Sequence, residues 1–108
     1  MDEFVIALTT LPADFDAVSL AQELVGAGVA ACVSILPAMQ SIYTWEGAVQ
    51  VEREQQLLIK TTRAQVEPLW AAVRARHPYE LPEFIVVPIL DGNEDYLTWI
   101  ESSVGRPS

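Results

Sequence analysis

The stretch QSIYTWEGAVQVEREQQLLIKT, residues 40–61, constrains the fold more than any other part of the chain. Glu46–Gly47 reads as a tight turn between two strand-like runs, Gln40–Trp45 and Ala48–Thr61. The outer half of the return strand is mostly polar, whereas Leu57–Ile59 is continuously apolar. Such a hairpin has its base in a core and its tip beyond it. The chain of 108 residues is enough for one domain, 1–108, with a modest core. Ile42, Tyr43, Trp45, Val49 and Val51 near the turn therefore lie out of reach of that core. Exposed apolar patches and unpaired strand edges recruit partners, so this arm is expected to dock on another subunit.

The flanking segments supply the other elements. Phe4–Leu11 is an apolar, β-branched run that predicts a buried strand, closed by Pro12. Asp14 or Asp16 then caps a helix with an apolar stripe of Val18, Leu20, Ala21, Leu24 and Val25, ended by Gly26 and Gly28. Ala30–Ile35 predicts a second buried strand, broken at Pro37 and resumed in the hairpin after a bulge or bend. Thr62 with Gln65 resembles a capping box opening a second helix that carries Val66, Leu69, Trp70 and Val73. Pro68 predicts a kink there, or a start nearer Glu67, and Pro78 ends the helix near Arg76. Glu83–Leu90 predicts a fourth strand, with Pro88 placing its far end at a sheet edge. Asp91–Gly92 turns the chain into a last helix capped by Asn93, with Tyr96, Leu97, Trp99 and Ile100 on its apolar face. Met1–Glu3 and Gly105–Ser108 are expected to fray. Right-handed crossovers place both longer helices on one face of an antiparallel sheet. The expected fold is α+β, a ferredoxin-like βαββαβ plait with an extended hairpin between its second and third strands and a C-terminal helix.

Charge excludes several function classes. The formal net charge of −9 repels phosphate backbones and anionic membranes, and the six basic residues form no single run. An acidic surface attracts cations or simply keeps the chain soluble. One cysteine, Cys32, rules out an intrachain disulfide. The apolar stretch Val25–Ile35 is interrupted by Gly26, Gly28 and Ser34 and is too short to span a bilayer. With no signal-like segment at the start, the cytoplasm is the expected compartment.

Four blocks, AACVSILPAMQSIYTWEG, LLIKTT, HPYELPE and GNEDYLTWI, occur in an order and spacing that resembles the CutA family of divalent-cation tolerance proteins. The resemblance runs from about Leu8 to Ile100. It implies a cytoplasmic homotrimer, related in fold to the PII signalling proteins, whose long hairpins pair with neighbouring subunits. It also implies a connection to copper and other divalent ions, and no enzymatic activity. Some relatives carry a cysteine at the position matching Thr9, so a thiolate copper site transfers poorly to this chain.

Individual residues carry two readings each. His77, the only histidine, is a candidate copper or zinc ligand, or it caps the second helix by donating to a free carbonyl. Cys32 offers a soft thiolate, or fills space in an apolar strand. Glu80 and Glu83 are hard oxygen donors for a weak ion site, or partners for Lys60 and Arg76. Lys60 anchors a small anion or sits in solvent, and with Tyr79, Glu83 and Tyr96 it forms the expected ligand cleft of a PII-like adaptor. Trp99 joins Ile42, Tyr43, Trp45, Val49 and Val51 in the expected trimer interface. No Cys-x-x-Cys, His-Glu-x-x-His, P-loop, dinucleotide or Gly-x-Ser-x-Gly pattern is present, which argues against a tightly held metal and against an enzyme. The expected activity is weak binding of copper, zinc or related ions by a metal-tolerance trimer.

Overall fold

A computed structural model describes residues 3–105. β1 (Phe4–Pro12) leads to α1 (Ala17–Gly26), β2 (Cys32–Ile35), β3 (Met39–Trp45) and β4 (Ala48–Thr62). A 3₁₀ turn, Arg63–Gln65, opens α2 (Val66–Arg76), followed by β5 (Ile85–Pro88) and α3 (Glu94–Ser103). The sheet order is β2-β4-β1-β5, all antiparallel, with β3 also pairing β4. The expected second strand is thus split at Pro37 into β2 and β3, both laid against the 15-residue β4. This is the ferredoxin-like plait with an extended hairpin and an added helix.

The alternation of strand side chains decides which face is covered. Val5, Ala7, Thr9 and Leu11 are buried on β1, and their register partners Thr61, Ile59, Leu57 and Gln55 are buried on β4. Leu20 and Leu24 of α1 and Leu69 and Val73 of α2 close over this face to form the main core. Ile100 and Val104 pack with Ala31 in a second, smaller cluster under α3. The opposite sheet face carries Ile6, Leu8 and Leu58, half-buried, beside the exposed Ile85 and Val87. Neither α1 nor α2 covers it.

The structure decides between some of the local expectations and corrects others. Asp16, not Asp14, caps α1, its carboxylate accepting from Ser19 N–H at 3.1 Å. Val18 and Val25 are exposed, because the inward arc of α1 is the narrower one centred on Ala17, Leu20 and Leu24. Thr62 makes no capping bond. It still pairs with Phe4 at the end of β4, and α2 begins only at Val66. Pro68 then falls in the first turn, where its missing N–H has no intrahelical partner to lose. The last strand is shorter than expected, Ile85–Pro88, and sits at the sheet edge as Pro88 requires. Glu3 and Gly105 are tied down, through Arg63 N–H to Glu3 O and Gly105 N–H to Gly28 O, both at 2.8 Å. The other expected fraying residues, Met1, Asp2 and Arg106–Ser108, lie outside the described residues.

Candidate functional site

The hairpin turn sets which residues share a face. Glu46 (φ 52°) and Gly47 (φ 83°) both take positive φ, the signature of a type I′ turn that matches strand twist. The register pairs Ile42 with Val51 and Thr44 with Val49 on one side. Tyr43 pairs with Gln50 and Trp45 with Ala48 on the other. The expected interface set is therefore divided between two faces. Ile42, Val49 and Val51 are 68%, 72% and 60% exposed, and Tyr43 and Trp45 are also exposed.

Tyr43 and Trp45 look across a cleft at the loop that follows α2. The cleft has a volume of about 690 Å³. Its far wall comes from Pro78, Tyr79, Glu80, Leu81 and Glu83, and its floor from Thr10, Glu54 and Gln56. Among the described residues no lysine, arginine or histidine lines it, so its charge is that of Glu54, Glu80 and Glu83.

A chain of hydrogen bonds holds that wall in place. His77 ends α2 in extended backbone, as the following proline demands. Its Nε2 lies 2.7 Å from Thr10 O, and its Nδ1 accepts from Tyr79 N–H at 3.1 Å. A carbonyl only accepts and an N–H only donates, so the ring is the neutral Nε2–H tautomer with both nitrogens occupied. Burial pushes its pKa below the usual imidazole value, against opposing contributions from the Thr10 bond and the Glu54 charge. His77 thus braces β1 against the loop. It caps no carbonyl of its own helix with its ring, the alternative anticipated from sequence.

Tyr79 continues the brace. Its phenol donates to Glu54 Oε2 at 2.7 Å. Burial first, then this carboxylate, raise the phenol pKa well beyond its ordinary value. Glu54 is only 6% exposed, and no donor among the described residues reaches its Oε1. No side-chain oxygen among the described residues is both fully enclosed and unpartnered, so Oε1 is open to the cleft.

Glu83 is fixed from two directions. The hydroxyl of the buried Thr9 donates to Glu83 O at 2.7 Å, and Gln56 Nε2 donates to Glu83 Oε2 at 3.0 Å. The same Gln56 amide donates to Thr9 O. Glu80 is exposed at the rim. Neither Glu80 nor Glu83 pairs with Lys60 or Arg76. Arg76 pairs with Glu23 of α1 instead.

The remaining candidates lie elsewhere. Cys32 is a half-buried free thiol on β2, opposite Lys60 in the register, and Lys60 is opposite Ile6. Thr10 is four residues further along β1, roughly 13 Å at the usual rise per residue. Cys32 is thus not brought together with His77 and Glu80. Lys60 Nζ donates to Tyr96 Oη at 3.2 Å and lies 5.4 Å from that ring's centroid. Trp99 stacks beside Tyr96, with ring centroids 5.4 Å apart. Of the four expected cleft residues, Tyr79 and Glu83 share one site, and Lys60 and Tyr96 form a separate pair.

Among the described residues, no three of His, Cys, Asp and Glu converge closely enough to hold a metal ion by themselves. Glu54, Gln56 and Thr10 were absent from the sequence-based candidates. The signal was present, since Glu52, Glu54 and Gln56 alternate along β4 on the face that carries Tyr43.

The sequence pattern of the CutA1 divalent ion tolerance family matches residues 5–103. The chain belongs to the CutA1 divalent ion tolerance family. It is 39% identical over 100 residues to the divalent-cation tolerance protein CutA of Yersinia pestis (strain Pestoides F), covering 93% of this chain and 84% of that protein. Solved CutA1 structures superpose closely. The Thermus thermophilus divalent cation tolerance protein matches with TM-score 0.91 and 40% identity, over 94% of this chain and 99% of that one. CutA1 of Oryza sativa matches with TM-score 0.91 and 38% identity, over 98% and 96%. The Archaeoglobus fulgidus CutA relative, at 28% identity and TM-score 0.88 over 93% and 97%, is described as periplasmic. No helix among the described residues is long and apolar enough to cross a membrane.

Proposed function

We propose that this protein serves divalent-cation tolerance as a non-enzymatic homotrimer that binds copper, zinc or related ions weakly in the cleft. The observation that carries the reading is the cleft's charge, three glutamates with no basic residue among its lining. Carboxylate oxygens suit divalent ions. Because no trio converges among the described residues, one or two carboxylates bind and water completes the ion's shell, which keeps affinity low. Glu80, Glu83 and the open Oε1 of Glu54 are the ligands in this reading. His77 positions Tyr79, and Cys32 stands apart.

Two apolar surfaces support assembly. Ile42, Val49 and Val51 form one exposed face of the hairpin, and Ile6, Leu8, Leu58, Ile85 and Val87 form the sheet face that α1 and α2 leave uncovered. Trp99 lies exposed on α3. A cytoplasmic location belongs to the proposal, since the free thiol of Cys32 suits a reducing compartment. A second reading, a PII-like adaptor that takes a small anion, is favoured by Lys60, whose ammonium meets a phenol rather than a carboxylate.

Calorimetric titration with Cu²⁺ and Zn²⁺ separates these readings. The wild type and His77→Gln should bind alike, and Glu80→Gln/Glu83→Gln should lose most of the heat. Unchanged binding in the double variant overturns the cleft assignment.

A further inference from the structure

Three aromatic side chains, Tyr43, Trp45 and Tyr79, line the same cleft as the three carboxylates. A bare metal ion makes no use of them. We infer that the cleft is a binding site for an organic cation, an ammonium or guanidinium group carried on an apolar frame.

Size and charge distribution point the same way. About 690 Å³ is the volume of a small-molecule pocket rather than of an ion site. A metal ion draws several oxygens toward one point, whereas here no three acidic groups among the described residues converge. Charge spread over a cleft with aromatic walls matches a cation of several ångströms' extent, attracted by ring faces and carboxylates together.

The other ligand classes fit poorly. An anion meets Glu54, Glu80 and Glu83 with no basic residue in the lining to offset them. A neutral apolar ligand covers Glu54 Oε1, already on a residue only 6% exposed, without supplying a donor. Leaving that oxygen dry and unpaired is costly. A cation bearing N–H or polarised C–H groups meets it favourably.

The frame is preorganised. His77 holds the Tyr79 backbone, Tyr79 holds Glu54, and Thr9 with Gln56 holds Glu83. Little ordering is then left for a ligand to impose. The inference rests on the cleft's preference for positive charge, which it shares with the metal reading, and on aromatic walls that the metal reading does not use.

The test is ligand-observed NMR with benzyltrimethylammonium, in the presence of a chelator so that no metal ion takes part. Benzyl alcohol and benzoate serve as neutral and anionic counterparts. The cation should bind saturably, at least about tenfold more tightly than the alcohol, and benzoate should not bind. Trp45→Ala should weaken the cation about fivefold and Trp45→Phe should restore most of the loss, with subunit mass checked by light scattering in each. Glu80→Gln should weaken it about threefold. Equal affinity for cation and alcohol, no saturation, or full binding by Trp45→Ala overturns the proposal. A failed Cu²⁺ or Zn²⁺ titration without chelator counts against the metal reading alone.

Discussion

Tyr79 and Glu54 meet at 2.7 Å, a phenol on the loop after α2 donating to a carboxylate midway along β4. This bond joins the two walls of the cleft and leaves the other carboxylate oxygen of a largely buried residue open to it. Tyr79→Phe removes the donor and keeps the ring. A hydrogen bond to a charged group contributes about 1.5–3 kcal/mol, and the variant should lose a comparable amount of stability. Urea unfolding at matched protein concentration measures it. A loss below about 0.5 kcal/mol would show that water replaces the phenol freely.

His77 makes stability depend on pH. Its folded pKa is depressed, chiefly by burial, below the unfolded value near 6.5. Its contribution is therefore complete above about pH 6.5 and is lost as pH falls through that value toward the folded pKa. Protonated Nδ1 would also face Tyr79 N–H donor to donor. The wild type should show a falling unfolding midpoint between about pH 7 and 5. His77→Gln should lack that component, and parallel profiles for both proteins would contradict the bracing role.

The hairpin's aliphatic face should hold the trimer together. Val49→Glu/Val51→Glu places like charges on an already acidic chain, at positions 72% and 60% exposed that support no core of their own. Light scattering should give about three times the 11.9 kDa chain mass for the wild type and a smaller species for the variant, with unchanged far-ultraviolet circular dichroism. A wild-type monomer would remove the assembly from the proposal.

Glu46 occupies left-handed backbone at φ 52°, a region asparagine tolerates better than other side chains. Glu46→Asn should therefore stabilise the hairpin by about 0.5 kcal/mol, read as a raised unfolding midpoint.

These residues also show what sequence could and could not convey. The hairpin, the Asn93 cap and the edge position of Pro88 were legible because local rules fix them: a tight two-residue turn, a side chain accepting from Tyr96 N–H, and a residue with no N–H to donate. Thr62 and Gln65 misled because the pattern of a capping box does not reveal that Thr62 is still held in the ladder by Phe4. Val18 and Val25 misled because helical spacing does not fix how wide an arc the sheet covers. The site was the least legible part. Glu54 falls in the mostly polar outer half of β4. It is buried because a loop 25 positions away folds over it, and no local pattern encodes that contact. His77 stood out by its rarity, yet its partner Thr10 lies 67 positions away.

The cleft, rather than the Cys32 thiol, is the proposed cation site. Crystals soaked in a copper salt and measured at the copper absorption edge test it directly. An anomalous peak is expected inside the cleft, within ligand distance of a carboxylate oxygen of Glu54, Glu80 or Glu83. A peak at the Cys32 thiol with none in the cleft would contradict it.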